Sequence, residues 1–137
     1  MILISAGSSR SVLKISEISE QISAAGHSVE VLLEPDTERF IGRAAFADSV
    51  SVVTEPTQKP AAILFAPATS ATLARLAHGL SSGPAGELYA SGLQPVFIAP
   101  DLDEETANHP AVLENLELLR EAGCKVIGTD TGFPTAM

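Results

Sequence analysis

Short apolar runs alternate along this chain with stretches whose apolar residues recur every three or four positions. Ile2-Leu3-Ile4, Val29 to Leu33, Ile63-Leu64-Phe65-Ala66, Val96-Phe97-Ile98 and Val126-Ile127 have the length of buried strands. Val50 to Val53 alternates weakly and reads as a short edge strand. Ile15, Ile18 and Ile22 share one face of a helix expected from about Ser11 to Ala25, which Gly26 stops. Pro35-Asp36-Thr37 breaks the second strand and starts a short helix through Phe40, Ile41 and Ala45, and the polar Thr54 to Pro60 reads as a loop. After Ala66, Pro67 is expected to end ladder pairing, because it has no N–H to donate. Thr69, Ser70 and Thr72 then supply hydroxyls for a helix start, and Leu73, Leu76, Ala77 and Leu80 form its apolar face.

Ser81 to Pro84 reads as a loop, Glu87 to Ala90 as a helical turn, and Asp101 to His109 as an acidic loop after a strand ended by Pro100. Pro110 suits the first position of a last helix, with Val112, Leu113, Leu116 and Leu119 facing the core and Gly123 closing it. The residues from Thr129 onward form a Gly- and Pro-bearing tail. Strands alternating with helices predict a parallel sheet covered on both faces. The expected fold is therefore a three-layer α/β/α, doubly wound Rossmann-like domain, with residues 1–137 as one unit.

Composition narrows the function classes. The net charge of −9 opposes a phosphodiester backbone, so nucleic acid is not an expected partner. A basic peptide or a more basic subunit is favoured at long range. One cysteine, Cys124, excludes an internal disulfide and reads as an inert structural thiol. No apolar stretch has the ~20 residues needed to span a bilayer, and the first residues lack a signal-peptide pattern, so a cytoplasmic protein is expected.

Two turns are expected to converge at the switch point of the sheet: Gly7-Ser8-Ser9 after the first strand, and Pro67, Ala68, Thr69, Ser70 and Thr72 after the central one. Helix-start amides and hydroxyls at both suit an anion such as a phosphate monoester. Neither G-x-G-x-x-G nor G-x-x-x-x-G-K-[ST] is present. His27 reads as solvated, His78 as a helix-end residue and His109 as a cap beside Pro110. No spacing suits a metal or a Ser-His-Asp triad.

Three segments carry a resemblance. Ala66 to Gly79, APATSATLARLAHG, resembles the P-[AS]-[TS]-A-N-T helix start of the homo-oligomeric flavin-containing cysteine decarboxylases. That family includes phosphopantothenoylcysteine decarboxylases and peptidyl-cysteine decarboxylases. The N-terminal ISAGSS resembles its glycine loop, and His109 to Gly123 resembles the helix after its P-x-M-N-x-x-M-W motif, with Pro100 on the motif proline. The resemblance covers nearly the whole chain and implies a flavin at the switch point, FMN or in second place FAD. It places Gly7, Ser8 and Ser9 on the phosphate side, and Pro67, Ala68, Thr69, Ser70 and Thr72 along the ring and ribityl side. It implies that flavin oxidises a cysteine thiol and that the resulting thioaldehyde loses CO₂.

The chain departs from that pattern at chemically important positions. The family's catalytic histidine precedes the central strand, in a segment that is short here and holds no histidine. Ala71 replaces the asparagine of the helix start. Asp103 replaces the asparagine that helps hold the substrate carboxylate, and Leu102 and Thr106 replace the methionines. An ionised aspartate there repels a carboxylate. Glu34 replaces the Thr or Ser after the second strand. Two readings follow. One is a divergent flavin-dependent decarboxylase acting on a peptidyl C-terminal cysteine or a small thiol carboxylate. The other is a catalytically reduced partner subunit of a homo- or hetero-oligomer. A third reading, a prenyl-flavin synthase relative suggested by LAHG, needs phosphate-pairing groups, with Arg10, Arg39 and Arg43 as candidates.

Overall fold

The computed structural model describes residues 1–7, 14–34, 46–80 and 83–127. Six strands run β1 (Ile2–Ala6), β2 (Val29–Leu33), β3 (Val50–Val53), β4 (Ala62–Ala68), β5 (Val96–Pro100) and β6 (Lys125–Val126). Among the described residues, the helices are α1 (Ile15–Ala24), α2 (Ser70–Ala77), α3 (Gly83–Ala90), α4 (Glu104–Ala107) and α5 (Pro110–Glu121). The sheet order is β3-β2-β1-β4-β5-β6 and every pairing is parallel. The switch point lies between β1 and β4, where the strand order reverses. This is the doubly wound fold the alternating pattern predicts.

Alternation along the strands divides the core. Leu3, Leu32, Ile63, Phe65, Val96 and Ile98 pack with Leu73 and Leu76 of α2 and with Val112, Leu116 and Leu119 of α5. Ile4, Val29, Val31, Leu64 and Ala99 point to the other face, against Ile15, Ile18 and Ile22 of α1. Burying two such layers provides the main driving force for folding, at roughly 25 cal/mol per Å² of apolar surface.

The connection from β3 to β4 decides the shape of the site. Residues 54–61 must travel from the carboxyl end of β3 to the amino end of β4, past β2 and β1. Three strand spacings and the strand length make a path of about 20 Å. A helix of that many residues would advance only about 12 Å, so the crossover must be extended. Glu30, buried in β2, grips it: Thr57 N donates to Oε1 at 2.9 Å and Thr57 Oγ1 donates to Oε2. Among the described residues, the face of β2 and β3 on the α2 side is thus covered by this strap.

Several local expectations change. Pro67 does not end β4, which runs on to Ala68 with a register shift between Phe65 and Ala68. Proline lacks a donor, but its carbonyl still pairs, here with Gly7 N. The Ala66–Pro67 and Gln94–Pro95 peptide bonds are cis. The acidic stretch after Pro100 contains α4, because Asp103 caps it. Gly83 and Pro84 belong to α3, not to a loop. The last strand is Lys125–Val126, one residue earlier than expected. Leu80 and Leu113 are exposed and contribute no core face. Leu80 lies beyond the end of α2, and Leu113 sits one position past the buried Val112. The expected helix over 35–45 and the start of the first helix, at Ser11, lie outside the described residues.

Candidate functional site

Two turns meet at the switch point. Gly7 N donates to Pro67 O at 3.0 Å, tying the turn after β1 to the turn after β4. A Cβ on Gly7 would lie 2.5 Å from Pro67 O, so only glycine allows this approach. Thr69 is the N-cap of α2: its Oγ1 accepts from Thr72 N at 3.2 Å and lies 3.1 Å from Thr72 Oγ1. Thr72 is buried, whereas Ser70 and Ala71 are exposed. Pro67 and Ala68 are buried within β4, and Asp101 N donates to Ala68 O. Gly7 and Pro67 are thus in direct contact, and of the expected residues Thr69 and Thr72 line the adjoining cleft, while Gly7, Pro67, Ala68 and Ser70 do not. Ser8 and Ser9 lie outside the described residues.

Beside this crevice opens a cleft of about 680 Å³, a size that suits small ligands. Its floor is the strap-side face of the sheet, with Leu32, Val53 and Phe65, and its walls come from α2 and α3, with Leu76 and Ala85. Thr69, Ala71 and Thr72 reach it from the helix start. The surface is apolar with a polar end.

The polar end is Glu34 and Arg75, a pair the sequence did not suggest because they are separated by 41 positions. Glu34 N donates to Ala6 O at 2.9 Å, which fixes the residue beside the first turn. Its Oε1 accepts from Arg75 Nη2 at 3.1 Å and, weakly, from Thr72 Oγ1 at 3.5 Å. Its Oε2 lies 3.5 Å from the point a Gly7 Cβ would occupy. Burial pushes the Glu34 carboxyl above its ordinary range, against the lowering effect of the Arg75 cation and hydrogen bonds from Thr72 and Ser5. Threonines and an apolar floor fit the polyol and ring of a flavin, while Glu34 opposes a phosphate on its side of the crevice.

Asp103 is committed elsewhere. Its Oδ1 accepts from Thr106 N at 2.7 Å, capping α4, and those bonds hold the carboxyl below its ordinary range. None of the three histidines lines the cleft. His27 is exposed in the turn after α1. His78 Nε2 lies 2.9 Å from Asn115 Oδ1, tying the end of α2 to α5. His109 Nδ1 accepts from Ala111 N and caps α5, as its place before Pro110 predicts. Cys124 is buried with its Sγ 3.7 Å from Tyr89 Oη. Burial raises both groups, the tyrosine to about 12, which fits an inert thiol.

Comparison with known proteins bears on this arrangement. Over 69 residues the chain is 38% identical to a cysteine/cysteine sulfinic acid decarboxylase of an unknown prokaryotic organism, covering 50% of this chain and 19% of that protein. It is 29% identical over 133 residues to the coenzyme A biosynthesis bifunctional protein CoaBC of Mycolicibacterium smegmatis, covering 87% of this chain and 32% of that one. The chain therefore spans a third or less of the length of these curated relatives. The FMN-dependent cysteine decarboxylase TvaF of thioviridamide biosynthesis superposes with a TM-score of 0.81 at 26% identity, covering 92% of this chain and 88% of that one. The family model for Flavoprotein matches residues 1–136, and this chain belongs to that family, with a cysteine-decarboxylase-like fold.

Proposed function

We propose that this chain is a divergent flavin-dependent decarboxylase-like flavoprotein whose substrate is a cysteine carboxylate, either at the C-terminus of a peptide or in a small thiol acid. FMN is the flavin form this reading takes first, and FAD the second. The carrying observation is the convergence of the Gly7 turn and the Pro67–Thr72 turn beside an apolar cleft of small-ligand size. Pro67, Ala68, Thr69, Ser70 and Thr72 would lie along the ring and ribityl chain, with Gly7, Ser8 and Ser9 toward the phosphate. A flavin held there supplies the two-electron oxidant for a cysteine thiol. A ring seated on the apolar floor would displace water from it, and Thr69 and Thr72 would orient the polyol.

A second reading rests on a separate observation. The crossover over 54–61 is an extended strap without histidine, and no histidine lines the cleft. Asp103 is held ionised as a helix cap, where it repels a substrate carboxylate. These features favour a partner subunit whose missing base comes from a second protein chain. Loss of a positioned general base alone costs on the order of 10²- to 10⁴-fold in rate.

The visible absorption spectrum of the purified chain, with mass measurement of any released chromophore, tests the common ground of both readings. A yellow protein releasing FMN supports it. A colourless protein that takes up none of riboflavin, FMN and FAD refutes it. Turnover of a cysteine-terminated peptide by the isolated chain then separates an enzyme from a partner subunit.

A further inference from the structure

We propose that Glu34 is a specificity-determining residue that makes the switch-point crevice discriminate against a phosphate on its ligand, so that the chain takes riboflavin at least as well as FMN. This inference rests on the flavin reading and narrows it.

Ligands at such a switch point direct their phosphates toward helix starts, where amides and an adjacent cation neutralise them. Here the position facing the start of α2 and the turn of β1 already holds an anion. The Glu34 backbone is anchored there by its own amide, which donates to Ala6 O, and its carboxylate is held by Arg75 Nη2 at 3.1 Å. Arg75 is the one cation among the described residues lining the cleft, and its guanidinium is engaged by Glu34 at 3.1 Å. Thr72 Oγ1 lies 3.5 Å from Glu34 Oε1 and 3.1 Å from Thr69 Oγ1. A phosphate entering on this side would meet a carboxylate, and the charge of the nearby Arg75 is already offset by its pairing with Glu34. A terminal hydroxyl has the opposite relation to the same group, because it donates a hydrogen bond to a carboxylate. The crevice is thus built for a polyol end, and the apolar floor of Leu32, Val53 and Phe65 accepts an uncharged ring.

The test is a pair of fluorescence titrations of the full chain, one with riboflavin and one with FMN, for wild type and for Glu34→Gln and Glu34→Thr. Wild type is expected to bind riboflavin as tightly as FMN or more tightly. Both substitutions should shift the ratio toward FMN by about tenfold or more, the scale of a removed like-charge contact. Salt should change the wild-type ratio little, because a largely buried carboxylate is poorly screened. The wild-type ratio of the two affinities needs no variant, so it tests the proposal even if a substitution fails to fold. A wild type preferring FMN by more than about tenfold, with a ratio that neither substitution moves, overturns the assignment to Glu34 while leaving the flavin reading intact. Failure of every variant to bind either flavin removes the flavin reading, and this inference with it.

Discussion

The two halves of the sheet are covered by different means. Over β4, β5 and β6, α2, α3 and α5 lie on the strands and seal a dry layer in which Leu73 and Leu119 are wholly buried. Over β2 and β3, among the described residues, the same face carries the strap of residues 54–61, and the cleft opens on it. The strands are similar in pattern, so the difference comes from connection length. A crossover long enough for a helix makes core; one too short for a helix leaves a concave, partly apolar surface at the carboxyl ends of the strands, where ligands bind in this fold.

Cavity-forming substitutions measure that contrast directly. Leu73→Ala should destabilise the chain by about 2–5 kcal/mol, since a fully enclosed void stays dry. Leu32→Ala removes an equally large side chain at the cleft floor, where water and neighbouring groups can fill the space. Its cost should fall clearly below that of Leu73→Ala in urea melts. Equal costs would mean that the cleft half is as dry as the other, and the comparison would be wrong.

Gly7→Ala comes next, with an expected loss of about 1–3 kcal/mol from overpacking. The added Cβ meets a backbone carbonyl 2.5 Å away, and a backbone cannot swing aside as a long side chain does. The two turns must then separate, so flavin affinity should fall together with stability. A variant of wild-type stability would show that the turns are not in firm contact. Glu30→Ala tests the strap, and should cost about 1–3 kcal/mol by removing the partner of Thr57. Hydrogen exchange should accelerate at 54–61 and not in α2 or α5. Uniform acceleration would show that Glu30 supports the whole sheet, not the strap alone.

These positions show what could be read in the sequence. The β4–α2 unit was legible because every level agreed: an apolar run, a hydroxyl cap and then Leu73 and Leu76 at helical spacing. The parallel, doubly wound sheet followed from alternation of strands and helices, but its strand order did not. Helix α4 was missed because it is a single turn inside an acidic run, although Asp103 three residues before Thr106 was a cap signal. Leu80 and Leu113 were assigned to the core from periodicity, which cannot tell where a helix ends or how wide its buried stripe is. The strap was visible as a short interval, but its consequence required the distance between β3 and β4. Glu34 drew notice only as a departure from a motif. Its partner, Arg75, lies on another element, and no local pattern connects the two.

The smallest expected effect concerns that pair, and its sign discriminates between the two halves. Burial raises the Glu34 carboxyl, and Arg75 offsets this only in part because its side chain is 39% exposed and screened. The native state therefore holds the Glu34 proton more tightly than the unfolded chain does. As pH rises from the ordinary carboxylate value through the raised one, wild type loses stability that Glu34→Gln keeps. Below the ordinary value both states of wild type are protonated at this site, and its contribution to the difference disappears. Urea melts at a series of pH values should show the Gln variant gaining on wild type across that window and levelling off above it. If wild type gains instead, the Arg75 attraction outweighs burial, and the polar end of the cleft is a stabilising ion pair. If it does not, the carboxylate is kept at an energetic cost, which is what a group retained for ligand discrimination in an otherwise apolar cleft should show.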